Sequence, residues 1–173
     1  MRDYSFRRIT DWNHSIHCLK KHTSFEAAFS LDDDGAIYLR GKVIDSDNRE
    51  IFCSNDIREM ALGAYQDWEP EHSLAEFIEA IESETVDVET AYFKTPLSEM
   101  SLEVKGPIAN PQVFGITITM ALNFSVLELY QWKDSGSIRI AMLCHKDHLL
   151  TFAKGLQADL FDLQKTRDSL ESK

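Results

Sequence analysis

The sequence predicts an α+β domain in which an antiparallel sheet of about six to eight strands packs on a long C-terminal helix, with a two-helix insert. Three observations carry that expectation. Met100, Leu102 and Val104, then Ile116, Ile118 and Met120, then Ile138, Ile140 and Met142 each alternate with polar or small residues. Period-two patterning puts one face of a sheet on a core and leaves the other largely wet. Leu149, Phe152, Leu156, Leu160 and Leu163 recur at steps of three and four, which makes one apolar helical stripe. Between Arg58 and Lys94 two further stripes of helical spacing interrupt the strands.

In chain order, residues 1–22 read as a loosely packed basic leader. It carries Arg2, Arg7, Arg8, Lys20 and Lys21, with a short strand at Tyr4 and Phe6. Phe25, Ala27, Phe29 and Leu31 alternate up to Asp32-Asp33-Asp34-Gly35, a turn whose glycine is free to take positive φ. Ile37, Leu39, Gly41 and Val43 return as its hairpin partner, and Glu50 to Cys53 adds a short third strand.

The first insert helix has Ser54 or Asp56 as its cap and Ile57, Met60, Ala61, Ala64 and Trp68 on one face, and it ends at Pro70. Ser73 to Glu76 is a capping box for the second, whose stripe is Leu74, Phe77, Ile78 and Ile81. Val86 to Phe93 is a strand, and the meander from Met100 follows. Val126 to Trp132 favours the pleated state, although its residues tolerate a helix. Asp147 is expected to cap the last helix, within which Gly155 costs about 1 kcal/mol relative to alanine. Residues 168–173 have lost the stripe and are expected to fray. With no repeat or low-complexity linker, residues 1–173 form a single domain.

The formal charge of −11 disfavours nucleic acid and anionic membrane surfaces, and it suits a basic protein partner drawn in over distance. Cys18, Cys53 and Cys144 are odd in number and irregular in spacing, which fits a reducing, cytoplasmic setting rather than a disulfide framework. No stretch has the composition of a signal peptide or a membrane span.

No motif for phosphate, dinucleotide or nucleophilic chemistry occurs, so neither an enzyme nor a cofactor is expected. Cys144 and His145 are adjacent, point to opposite faces of a strand and cannot act as a nucleophile–base pair. Outside candidates for a zinc site are His14, Cys18, His22 and His148, against the plainer reading of ordinary histidines.

The strongest departure from background is the run from Glu59 to Glu89, which has ten acidic residues and no lysine or arginine. Within it Asp67, Trp68, Glu69, Glu71, Glu76 and Glu79 combine an aromatic anchor with carboxylates. That combination suits recognition of a basic protein surface, and a plain solvated face is the alternative.

With the hairpin around Asp32–Gly35, the acidic insert bearing Trp68-Glu69-Pro70 and the strands leading into Asp147–Leu163, the chain resembles the immunity proteins of bacterial toxin–immunity pairs. The resemblance implies no catalysis, a single protein partner such as a basic toxin, and carboxylates as the functional groups. The alternatives are a structural homo-oligomerising domain that uses the apolar residues Val126, Leu143 and Phe161, which lie off the main stripes, and a small hydrolase or zinc-binding protein that uses the His/Cys cluster.

Overall fold

A computed structural model describes residues 5–11, 23–54, 57–58, 74–83, 91–94, 100–108, 111–121 and 137–171. The first strands are β1 (Arg7–Thr10), β2 (Ser24–Leu31), β3 (Ile37–Ile44), β4 (Glu50–Cys53) and β5 (Ile57–Arg58). Helix α1 (Leu74–Glu82) precedes β6 (Ala91–Lys94), β7 (Met100–Lys105), β8 (Val113–Ala121) and β9 (Ser137–His145), and α2 (Lys146–Glu171) closes the order. The class is α+β and every strand pairing is antiparallel.

The strands divide into two sheets rather than joining in one. The first runs β1-β2-β3-β4, with β5 also on β3, and the second runs β6-β7-β8-β9. Alternation along one strand specifies which side chains share a face, but it carries no information on which edges meet. The two sheets nevertheless adjoin. Asp11, which follows β1, accepts a hydrogen bond from the Leu143 N–H of β9 at 3.2 Å.

Helix α2 packs on β1, β2 and β9 and so covers that seam, while α1 packs on α2 and β6. Both sheets and both helices contribute to one core, in which Phe25, Met100, Ile118, Leu149 and Phe77 are all fully buried. The void left between Phe29, Leu39, Phe77, Met100 and Phe152 measures only about 10 Å³, so the elements close on one another at interior density. Gly41 permits that closure. A Cβ there would lie 2.4 Å from the Met100 methyl and 3.1 Å from the Phe25 ring, so β3 approaches β7 only because position 41 is bare.

Of the leader, residues 5–11 are described, and they include a strand. Arg7–Thr10 forms this strand, which Phe6 precedes, and Tyr4 lies outside the described residues. Ile9 is buried against β2. Arg7 donates from Nε and Nη2 to both carboxylate oxygens of Asp159 on α2, at 2.8 and 2.7 Å. The expected weakness at Gly155 gains a purpose here. A Cβ at that position would sit 3.1 Å from the Arg7 guanidinium, so the glycine makes room for a two-pronged ion pair.

Several boundaries differ from the sequence expectation. Ser54 caps no helix. Its hydroxyl accepts from the Gly41 N–H at 2.9 Å and its own N–H donates to the Gly41 carbonyl at 2.7 Å, which extends the β3 edge. Ile57 lies in β5, paired with Leu39, instead of starting a helix. Asp56, the rest of the first insert helix from Glu59 to Pro70, Ser73 of the second helix's capping box and Val126–Trp132 lie outside the described residues.

Helix α1 begins at Leu74 as expected and buries Phe77, Ile78 and Ile81. Helix α2 starts at Lys146, so its cap is His145 and not Asp147. The imidazole Nδ1 accepts from the Asp147 N–H at 3.4 Å. At its other end α2 continues to Glu171, beyond where the stripe stops. Asp32 makes the first hairpin turn by accepting from the N–H groups of Asp34 and Ala36, with Gly35 at φ +80°.

Candidate functional site

Of the six residues expected to face a partner, Glu76 and Glu79 lie within the described residues, and Asp67, Trp68, Glu69 and Glu71 lie outside them. The stripe of α1 decides where the two carboxylates go. With Phe77, Ile78 and Ile81 committed to the core, Glu79 falls on the solvent side and is exposed. Phe77 also meets Phe93 of β6 edge-on, with centroids 6.3 Å apart, so the helix is held against the sheet rather than perched on it.

Glu76 sits in the first turn and is half-buried, where the partial positive charge of the helix start favours a carboxylate. Its position serves the helix more than the surface. Glu82, at the other end, ion-pairs with Lys154 of α2 and braces the two helices against each other. The described part of the acidic run thus presents Glu79 outward from a rigid support.

A second charged group was not singled out from the sequence. Arg8, Glu26 and Lys42 occupy directly opposed positions on β1, β2 and β3, so their side chains share the face of the first sheet that points away from the core. Glu26, only 7% exposed, accepts from Arg8 Nε at 2.7 Å on one oxygen and ion-pairs with Lys42 Nζ at 3.0 Å on the other. Lys42 also lies 4.0 Å above the Phe6 ring, and Arg8 donates to Asn48 at 3.1 Å. The signal was readable, because Glu26 and Lys42 are equidistant from Asp34 at the centre of the hairpin turn.

Burial pushes the Glu26 carboxyl up, but the hydrogen bonds and charges of Lys42 and Arg8 outweigh it and hold the group below its ordinary value of 4.5. A carboxylate whose pKa is lower in the folded than in the unfolded chain contributes stability above the unfolded value and loses it as pH falls through the folded one. Thermal melts of the wild-type protein should therefore lose stability on acidification below about pH 5, and Glu26→Gln should flatten that decline. An unchanged pH profile in the variant would remove Glu26 from the account.

Cys144 is fully buried on the core face of β9, and its thiol contacts the carbonyl oxygen of His145 at 3.5 Å. Burial, reinforced by the negative charge of Asp11, pushes its pKa up to about 12. The neighbouring imidazole faces the other way, onto the start of α2. The pair is a core thiol beside a helix cap. Iodoacetamide at mildly alkaline pH is expected to leave Cys144 unmodified in the folded protein and to alkylate it after denaturation, as read by peptide mass spectrometry. Modification of Cys144 in the native state would show that this core opens.

His148 is exposed in the first turn of α2, with its ring 5.9 Å from that of His145. His14, Cys18 and His22 lie outside the described residues, and among the described residues no three metal-ligating side chains converge. Of the apolar residues considered for self-association, Leu143 is half-buried on the outer face of β9, Phe161 is 53% exposed on α2, and Val126 lies outside the described residues. Among the described residues, no helix is long and apolar enough to cross a membrane. No protein-family model, no curated protein and no solved structure matches the chain.

Proposed function

We propose that the protein is a non-catalytic protein-binding module of the immunity type, which holds a basic protein partner such as a toxin on the acidic face of its helical insert. The reading rests most on Glu79, an exposed carboxylate on a helix whose opposite side is anchored by Phe77, Ile78 and Ile81. A charge presented from a rigid element loses little entropy when a partner engages it. The excess of acidic residues, a net −11, adds long-range attraction for a cationic surface. Asp67, Trp68, Glu69 and Glu71 complete the proposed face, with Trp68 as the desolvated anchor and the carboxylates setting register and association rate. The reading places the protein in the cytoplasm and gives it no cofactor.

The test is a pull-down with the intact protein beside the Glu69→Lys, Glu79→Lys double variant, after circular dichroism has established that both are folded. Glu76 is left unchanged because a lysine in the first helical turn would oppose the helix dipole and confuse folding with binding. The expected result is a partner retained by the wild type, released progressively by salt and lost by the variant. A partner retained equally by both would reduce the acidic face to solvation. A second reading, self-association, is favoured by the exposure of Phe161 and the outward placement of Leu143. A monomeric mass in light scattering at high protein concentration would eliminate it.

A further inference from the structure

Helix α2 commits its leucine stripe to the core and leaves Lys154, Ala158, Phe161, Asp162 and Lys165 exposed on the opposite side. Phe161, 53% exposed, is the largest exposed apolar side chain among the described residues. The exposed side is ordered as well as open. Lys154, Ala158 and Asp162 stand at steps of four and so form one ridge along the helix. A cation and an anion lie at equal distances on either side of a methyl group.

Such a ridge is complementary to its own two-fold image. In the commonest class of helix packing the i±4 ridges of two helices run side by side, and the axes cross at about 50°. Where two copies of α2 cross at Ala158, the two ridges run in opposite senses. Lys154 then lies beside Asp162 of the second copy, and Asp162 beside its Lys154. Alanine at the crossing lets the axes approach to about 8 Å, the near limit for helices. Phe161 stands on the adjoining ridge, level with Ala158, so the two copies bring their rings together beside the symmetry axis. Lys154 already ion-pairs with Glu82 of α1, which uses one of the three donors of an ammonium group.

We propose that α2 pairs with α2 of a second copy of this chain across that side, in an antiparallel two-fold dimer crossing at Ala158. This dimer rests on the self-association reading and gives it a surface, apart from Glu79 and the acidic face. A uniformly basic or acidic partner would match Asp162 or Lys154 but not both, whereas the ridge's own image matches both, twice over. A single helix crossing falls at the small end of interfaces, below about 1,200 Å². Two copies of net charge −11 also repel one another at long range, so the dimer is weak and forms at high protein concentration.

The experiment is sedimentation equilibrium of the full chain up to several hundred micromolar, in about 0.15 M salt, where charges beyond about 8 Å are screened and close pairs are not. The wild type is expected to pass from monomer to dimer. Lys154→Glu and Asp162→Lys each set two pairs of like charges face to face, and each is expected to weaken association about tenfold, from two exposed pairs lost and two repulsions gained. The double variant Lys154→Glu, Asp162→Lys reverses the ridge and keeps its symmetry, so it should restore association. These three variants are compared in a Glu82→Gln background, so that loss of the brace to α1 does not enter. Phe161→Ser should abolish the dimer, and like the others it changes an exposed side chain and leaves the core untouched. A dimer that the single variants leave intact, or that the double variant fails to restore, would overturn this interface and leave self-association to another surface. A monomer at every concentration would overturn both.

Discussion

Phe25→Ala is expected to destabilise the protein by about 3–5 kcal/mol, a large share of the stability of a domain of this size. The ring is completely buried near the start of β2 and meets Phe152 of α2 at 6.0 Å with a tilt of 59°. Its removal costs the transfer of an aromatic side chain, the ring pairing and a cavity that the neighbours cannot close. They cannot close it because β2 is hydrogen-bonded on both sides, to β1 and β3, and buried along its whole length. Urea unfolding should show a lower midpoint with an unchanged slope. A loss below about 1.5 kcal/mol would mean that the core relaxes far more freely than its packing implies.

Gly41→Val is expected to cost at least about 2–3 kcal/mol by the opposite mechanism, overfilling. A branched side chain at position 41 would run into the Met100 methyl and the edge of the Phe25 ring, and so would push β3 away from β7. A β-branched residue ordinarily favours a strand, so local propensity predicts the reverse sign. The penalty should shrink in a Met100→Ala background, because the shortened side chain vacates the space. Equal penalties in the two backgrounds would show that position 41 is not packed between the sheets. The cycle thus measures the sheet-to-sheet contact directly.

These two residues mark where local reasoning stopped. Gly41 reads in the sequence as one more inward position of an alternating strand, and so it is. That it must be glycine follows only from what stands opposite, and Met100 is far away along the chain. Gly155 is similar. Helix propensity marks it as a defect, while the tertiary structure makes it the space for Arg7. The capping of α2 by His145 rather than Asp147 is a smaller case, settled by how far β9 runs before the chain turns into the helix.

Sequence alone determined the strands at 37–44, 50–53 and 100–105, the turn at Asp32–Gly35, the apolar face of α1 and the stripe of α2. Each is written in neighbouring residues through period and turn chemistry. It also determined that Cys144 belongs to the core, by its parity with Met142. The tertiary structure decided the division into two sheets, the seam at Asp11 and Leu143 and the burial of both faces of β2. Periodicity assigns a side chain to a face, whereas a face becomes a core or a seam only through elements distant in sequence, whose approach depends on the shape of the whole chain.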